Sequence, residues 1–90
     1  MYVVIVGCSS VGYHLTKVLL TAGHEVTVVE NNHTRCQLLW DELGSVVIEG
    51  DGTDERVLKT AGTARADIFV GAAEPDETNL VACQIAKHVF

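Results

Sequence analysis

Gly7-Cys8-Ser9-Ser10-Val11-Gly12 follows the β-branched run Tyr2-Val3-Val4-Ile5-Val6. A glycine-rich turn between a strand and a helix can cradle phosphate, because backbone N–H groups at the helix N-terminus point at the anion. The dinucleotide-binding form reads G-x-G-x-x-G. Its first glycine makes the bend, the second lets the backbone approach the pyrophosphate, and the third lets the helix pack on the sheet. Gly7 and Gly12 retain the outer two, while Ser9 occupies the middle position. Ser9 adds a Cβ there, yet its hydroxyl and that of Ser10 are potential phosphate donors. The same six residues would also serve as a plain connection.

Glu30 closes a second β-branched run, Glu25–Glu30 (EVTVVE). At this spacing from the loop a carboxylate accepts hydrogen bonds from the 2′- and 3′-hydroxyls of an adenosine ribose. A 2′-phosphate would meet like charge, so the expected ligand is NAD(H) or an adenine nucleotide (ATP or ADP) and not NADP. The bland reading makes Glu30 a solvated strand end. Asn31 is counted with it as a site residue. Arg35, five positions on, either stacks over adenine or reaches phosphate, or is an ordinary surface arginine. Gly50-Asp51-Gly52-Thr53 permits close approach to a ring, with Asp51 as an acceptor for the adenine amino group; Thr53 or Asp54 can equally cap the following helix. Ala72-Ala73-Glu74 would form the opposite lip, with room for the rest of a ligand. Asp76 reads as a helix cap and Asn79 as a tether for that turn.

These residues need elements to hold them. Val11, Leu15, Val18, Leu19 and Ala22 recur at helical spacing until Gly23, and Tyr2–Val6 is a strand covered on both faces. Glu25–Glu30 is a second strand, followed by a helix over Thr34–Leu43; Ser45–Glu49 is a third, with a short helix through Val57, Leu58 and Ala61. Asp67–Val70 makes a fourth strand, and a last helix from Asp76 directs Leu80, Val81, Ile85 and Val89 inward. This alternation predicts an α/β doubly wound parallel sheet with strand order 3-2-1-4. Its topological switch point lies between strands one and four, directly at the glycine loop.

Ninety residues and 48% hydrophobic content describe one domain. A chain of this size hides only roughly 60–65% of its unfolded surface, which favours association. Net charge −6 with six scattered basic residues argues against nucleic acid and against an anionic membrane surface. The apolar opening is too short to span a bilayer. Cys8, Cys36 and Cys83 lack metal or redox spacing and read as free thiols in a reducing, cytoplasmic setting. The four histidines show no metal spacing, and Trp40 reads as core or interface.

The start VVIVGCSSVG, the helix end AGHEV, the acidic strand end Glu30, the turn GDGTD and above all DETNLVACQIAK resemble the RCK or KTN domains that regulate potassium conductance. The likeness is to the N-terminal NAD-binding domain of Trk potassium-uptake regulators and runs through all 90 residues. It implies a Rossmann-like, non-catalytic sensor of NAD(H) or ATP/ADP, in the cytoplasm or at the inner membrane face. It implies assembly as a homo-oligomer or paired regulatory subunit, often a ring, under a membrane potassium transporter. Binding positions implied by the family fall on Gly7, Cys8, Ser9, Ser10, Val11, Glu30, Ala73 and Glu74, with Arg35, Asp51, Gly52 and Thr53 as neighbours. The family loop commonly reads G-x-G-R-x-G, so Ser10 stands where an arginine would reach phosphate. A complete domain of the family continues past the DETNL helix, so residues 1–90 are expected to lack its last strands. Two other readings are the cofactor half of an NAD-dependent dehydrogenase and a scaffold that binds no ligand.

Overall fold

The computed structural model describes residues 1–90. Strand β1 (Tyr2–Val6) is buried at all five positions because helices cover both its faces. Val3 and Ile5 join Val26, Val28, Cys36 and Leu39 on one side; Val4 and Val6 join Val29, Leu58 and Ala82 on the other. The alternation is that of a pleated strand. β2 (Glu25–Glu30), β3 (Val47–Glu49) and β4 (Ile68–Gly71) complete a parallel sheet in the order β3-β2-β1-β4. This is the expected Rossmann-like arrangement. Helices α1 (Ser10–Thr21) and α2 (His33–Leu43) supply the first face; α3 (Glu55–Thr60) and α4 (Asp76–Val89) supply the second.

Several boundaries and faces differ from expectation. Ser45 and Val46 belong to a 3-10 turn, so β3 starts at Val47. Asp67 precedes β4 and anchors the first strand, its carboxylate accepting from the Tyr2 N–H at 2.7 Å. Trp40 is half-buried, its indole N–H donating to the Val47 carbonyl at 2.8 Å.

In α1 the expected inward stripe is partly wrong: Val11, Val18 and Ala22 are exposed, while Gly12 and Thr16 are buried. Gly12 fixes the helix rotation. A Cβ there would lie 2.6 Å from the Gly7 carbonyl oxygen and 3.1 Å from the Ala72 methyl, so this side must face the loop. The residues one and two turns on, Thr16 and then Leu19 and Leu20, follow it inward.

In α4, Leu80, Val81 and Val89 are likewise exposed, contrary to the periodicity. Asn79 is the cause: it hydrogen-bonds both backbone groups of Ala73, which turns Asn79, Ala82 and Ile85 to the sheet and their apolar neighbours outward. Asp76 does not cap α4 either. Pro75 holds the cap position, and Asp76 is the first helical residue, where its charge still favours the helix N-terminus.

Candidate functional site

Parallel strands deliver their carboxyl ends to one edge, and there β1, β2 and β4 stop around a cleft. Gly7 makes the turn out of β1 at φ +90°, a conformation that favours glycine. It is also where the two lips touch. A Cβ on Gly7 would sit 2.3 Å from the Ala73 Cα, so the loop after β4 closes directly over the loop after β1. The cavity beside this contact has a volume of about 160 Å³. Among the expected site residues, Gly7, Glu30, Asn31, Arg35, Gly52, Ala73 and Glu74 line it.

Glu30 is 3% exposed at the end of β2. Its Oε1 accepts from the Cys8 N–H at 2.8 Å and its Oε2 from the Asn32 N–H at 2.9 Å. It is therefore no solvated strand end. The carboxylate ties the glycine loop to the turn that opens α2, and each oxygen keeps a second lone pair for a ligand hydroxyl. Asn32 caps α2 by accepting from the Arg35 N–H at 2.9 Å. That cap sets Arg35 on the first turn. Its Nη1 lies 3.4 Å from the Cys8 carbonyl oxygen and 3.7 Å from Glu30 Oε1, and its Nη2 lies 3.5 Å from Glu74 Oε1. Arg35 thus spans the cleft and is no free surface arginine.

The middle of the glycine loop faces elsewhere. Ser9 Oγ donates to the Ala72 carbonyl at 2.6 Å, and Ser9 N–H reaches the same oxygen. The hydroxyl expected to meet phosphate is spent on holding the loop to the end of β4. Cys8, Ser9 and Ser10 line a shallow groove between α1 and α2 together with Arg35, Tyr13 and Glu42. Val11 lies on the exposed side of α1. None of these four lines the cleft itself.

Asp51 and Thr53 also stay outside the cleft lining. Asp51 Oδ1 accepts from both the N–H and the hydroxyl of Thr53, at 2.8 and 2.7 Å, which fixes the carboxylate in a local turn. Asp54 caps α3 by accepting from the Arg56 N–H, one of the two caps expected there. Asn79 performs the tether expected of it: Ala73 N–H donates to its Oδ1 at 2.8 Å and its Nδ2 donates to the Ala73 carbonyl at 2.9 Å. Gly50, from the turn expected to approach a ring, lines the cleft with Gly52; the polar side chains of Asn32 and Thr78 also line it and were not anticipated. Only Asn32 carried a local signal, an asparagine immediately before a helix.

The thiols nearby are poor nucleophiles. Burial, then the charge of Glu30, pushes the Cys8 thiol up despite Arg35. Burial, followed by Glu49 and Glu30, pushes Cys36 up to about 11. Both stay protonated near neutrality.

A parallel sheet in the order 3-2-1-4, with a carboxylate at the end of its second strand and a glycine turn at its switch point, defines the Rossmann-like class of nucleotide-binding domains. Structural comparison agrees. The NAD(P)-binding domain of an exopolyphosphatase-related protein from Archaeoglobus fulgidus superposes with TM-score 0.86 at 25% identity, over 98% of this chain and 65% of that one. The Kef CTD of Shewanella denitrificans, solved in AMP-bound form, gives TM-score 0.78 at 20% identity over 99% of this chain and 54% of that one.

Within that class the chain belongs to the TrkA-N domain family, whose profile matches residues 3–90. It is 44% identical over 87 residues to a Trk system potassium uptake protein TrkA homolog of Methanothermobacter thermautotrophicus, covering 97% of this chain and 40% of the relative. It is 36% identical over 90 residues to the Trk system potassium uptake protein TrkA of Vibrio alginolyticus, covering 100% of this chain and 20% of the relative. The chain therefore spans less than half the length of these relatives. No helix is long and apolar enough to cross a membrane.

Proposed function

We propose that this chain is the nucleotide-sensing domain of a regulatory subunit that controls potassium uptake, and that NAD(H) or an adenine nucleotide (ATP or ADP) occupies the cleft. The observation that carries the reading is the buried Glu30 carboxylate, fixed by two backbone amides at the switch point and still able to accept from ribose hydroxyls. Around it Gly7, Asn31, Arg35, Gly52 and Ala73 would hold the ligand, with Glu74 at the rim beside Arg35. The names of the Trk relatives and the NAD(P)-binding neighbour support the same reading.

The domain acts as a sensor and not as an enzyme. The ionisable groups lining the cleft are Glu30, Arg35 and Glu74, with no histidine, lysine, tyrosine or cysteine to pass a proton or attack a substrate. It works in the cytoplasm, as a homo-oligomer or beside a paired subunit, docked on a membrane potassium transporter. A ligand that binds one arrangement of the assembly more tightly than another shifts the population and so biases the pore.

Thermal melting with NADH, NAD, ATP and ADP tests the binding step. A ligand at 100 times its Kd adds about 2.7 kcal/mol, easily resolved in a small domain. No shift with any of the four at millimolar concentration would leave the non-binding scaffold as the better reading. Retained midpoint shifts in Glu30→Gln, with the protein still folded, would detach the ribose role from Glu30.

A further inference from the structure

The cation expected at position 10 is missing, since Ser10 stands there, and Arg35 is the one lysine or arginine among the residues lining the cleft. Its guanidinium is already engaged at both ends. Nη1 faces the Cys8 carbonyl and Glu30 on the buried side; Nη2 faces Glu74 on the exposed side. The two engagements differ in kind. Glu30 is locked by backbone amides, whereas Glu74 is 70% exposed in its side chain and has Arg35 Nη2 as its polar partner at 3.5 Å. An exposed pair this loose holds with no more than about a five-fold preference.

We propose that Glu74 acts as a stand-in anion: it occupies the outer guanidinium nitrogen of Arg35 until the phosphate of a nucleotide displaces it. This rests on the nucleotide reading of the cleft and adds to it a phosphate contact and a charge filter. With Glu30 and Glu74 against Arg35, the lining carries one net negative formal charge. A ligand gains Arg35 only by moving one carboxylate, and each further phosphate charge meets two carboxylates with a single cation to offset them. The cleft therefore favours a nucleotide carrying little phosphate charge, such as AMP or NAD, over ATP. Phosphate succeeds where Glu74 is loosely held because a charge-assisted guanidinium contact of ordinary length is stronger than the 3.5 Å contact it replaces. Displacement also frees the loop after β4, whose neighbour Ala73 is tied to α4 through Asn79.

The test compares adenosine, AMP and ATP by calorimetric titration of the 90-residue chain and of Glu74→Gln, Glu74→Asp, Arg35→Gln and Arg35→Lys. Glu74→Gln removes the competitor, so AMP should bind about two- to five-fold tighter while adenosine is unchanged. ATP should gain at least as much as AMP, and Glu74→Asp should stay close to wild type. Arg35→Gln should weaken AMP about ten-fold or more without changing adenosine, with Arg35→Lys between the two. A purely structural role would move adenosine and AMP together, and that outcome overturns the proposal, as does weaker AMP binding in Glu74→Gln. If neither adenosine nor AMP binds any of the proteins, the nucleotide reading falls and takes this inference with it; binding of both with no Glu74 effect removes the inference alone.

Discussion

Glu30 is 3% exposed and accepts a backbone hydrogen bond at each carboxylate oxygen, whereas Glu74, on the facing lip of the same cleft, is an exposed side chain whose polar contact is Arg35. The difference follows from what each residue belongs to. Glu30 ends an interior strand flanked by β1 and β3, so its side chain emerges among amides that have no other partner. Glu74 lies past the end of β4, at the sheet margin, where the backbone is held by Asn79 and the side chain is left to solvent. One carboxylate is therefore built into the fold, and the other is an exposed side chain over the cleft on a backbone that Asn79 ties down. In the proposed sensing role the fixed carboxylate would recognise the ligand and the loose one would yield to it.

The largest effect should come where the lips meet. Gly7→Ala places a Cβ 2.3 Å from the Ala73 backbone at a positive φ, so the chain must give on both sides. The combined strain and overpacking should cost about 2–5 kcal/mol in urea unfolding. A loss below about 0.5 kcal/mol would mean that the lips part easily and that the contrast between them is shallow. Glu30→Ala comes next, because it leaves the Cys8 and Asn32 amides without their acceptor and Arg35 without its inner carboxylate. The expected loss is about 2–4 kcal/mol, with Glu30→Gln losing less because it keeps a carbonyl acceptor. Equal, negligible losses in the two variants would place the anchor of this lip elsewhere.

The fixed lip should also fail in alkali. Cys36 donates its thiol hydrogen to the Glu30 carbonyl at 3.3 Å, and burial raises it from 9.0 to about 11. The unfolded thiol loses its proton first, so the stability tied to this site is intact below about pH 9 and falls as the pH climbs through 11. Urea midpoints measured across that interval should decline more steeply in the wild type than in Cys36→Ala. Parallel decline would show that another group titrates.

How much of this could be read from the residues depended on how local the cause was. The apolar run of β1 announces its own burial, and the strand order follows from handedness, so the sheet was legible before any coordinates. Glu30 was legible by its distance from the glycine loop, although its two amide partners were not. Helix faces were misread in α1 and α4 because counting apolar residues gives no weight to Gly12 or Asn79, which set the rotation through one close contact and one pair of hydrogen bonds. The structural partner of Ser9 was hidden for a related reason. Its hydroxyl acceptor, the Ala72 carbonyl, lies 63 positions away in the chain and becomes a neighbour only after β4 pairs with β1. Asp51 is the reverse case: a two-residue turn to Thr53 is purely local, yet it competed with a ligand role that the family likeness favoured.

Asn79→Ala tests the other side of the comparison with the smallest change in stability. It removes both hydrogen bonds to Ala73 and should cost about 1–2 kcal/mol, since each is partly buried and water can replace it in part. The more telling readout is local. Amide hydrogen exchange at Ala73 should accelerate, because its N–H loses the Asn79 acceptor, while exchange at Cys8, whose N–H is held by Glu30, should rise only with the global loss of stability. If the two amides lose protection equally, the lips open as one cooperative unit, and the loop after β4 cannot move as a cover independent of the Glu30 anchor.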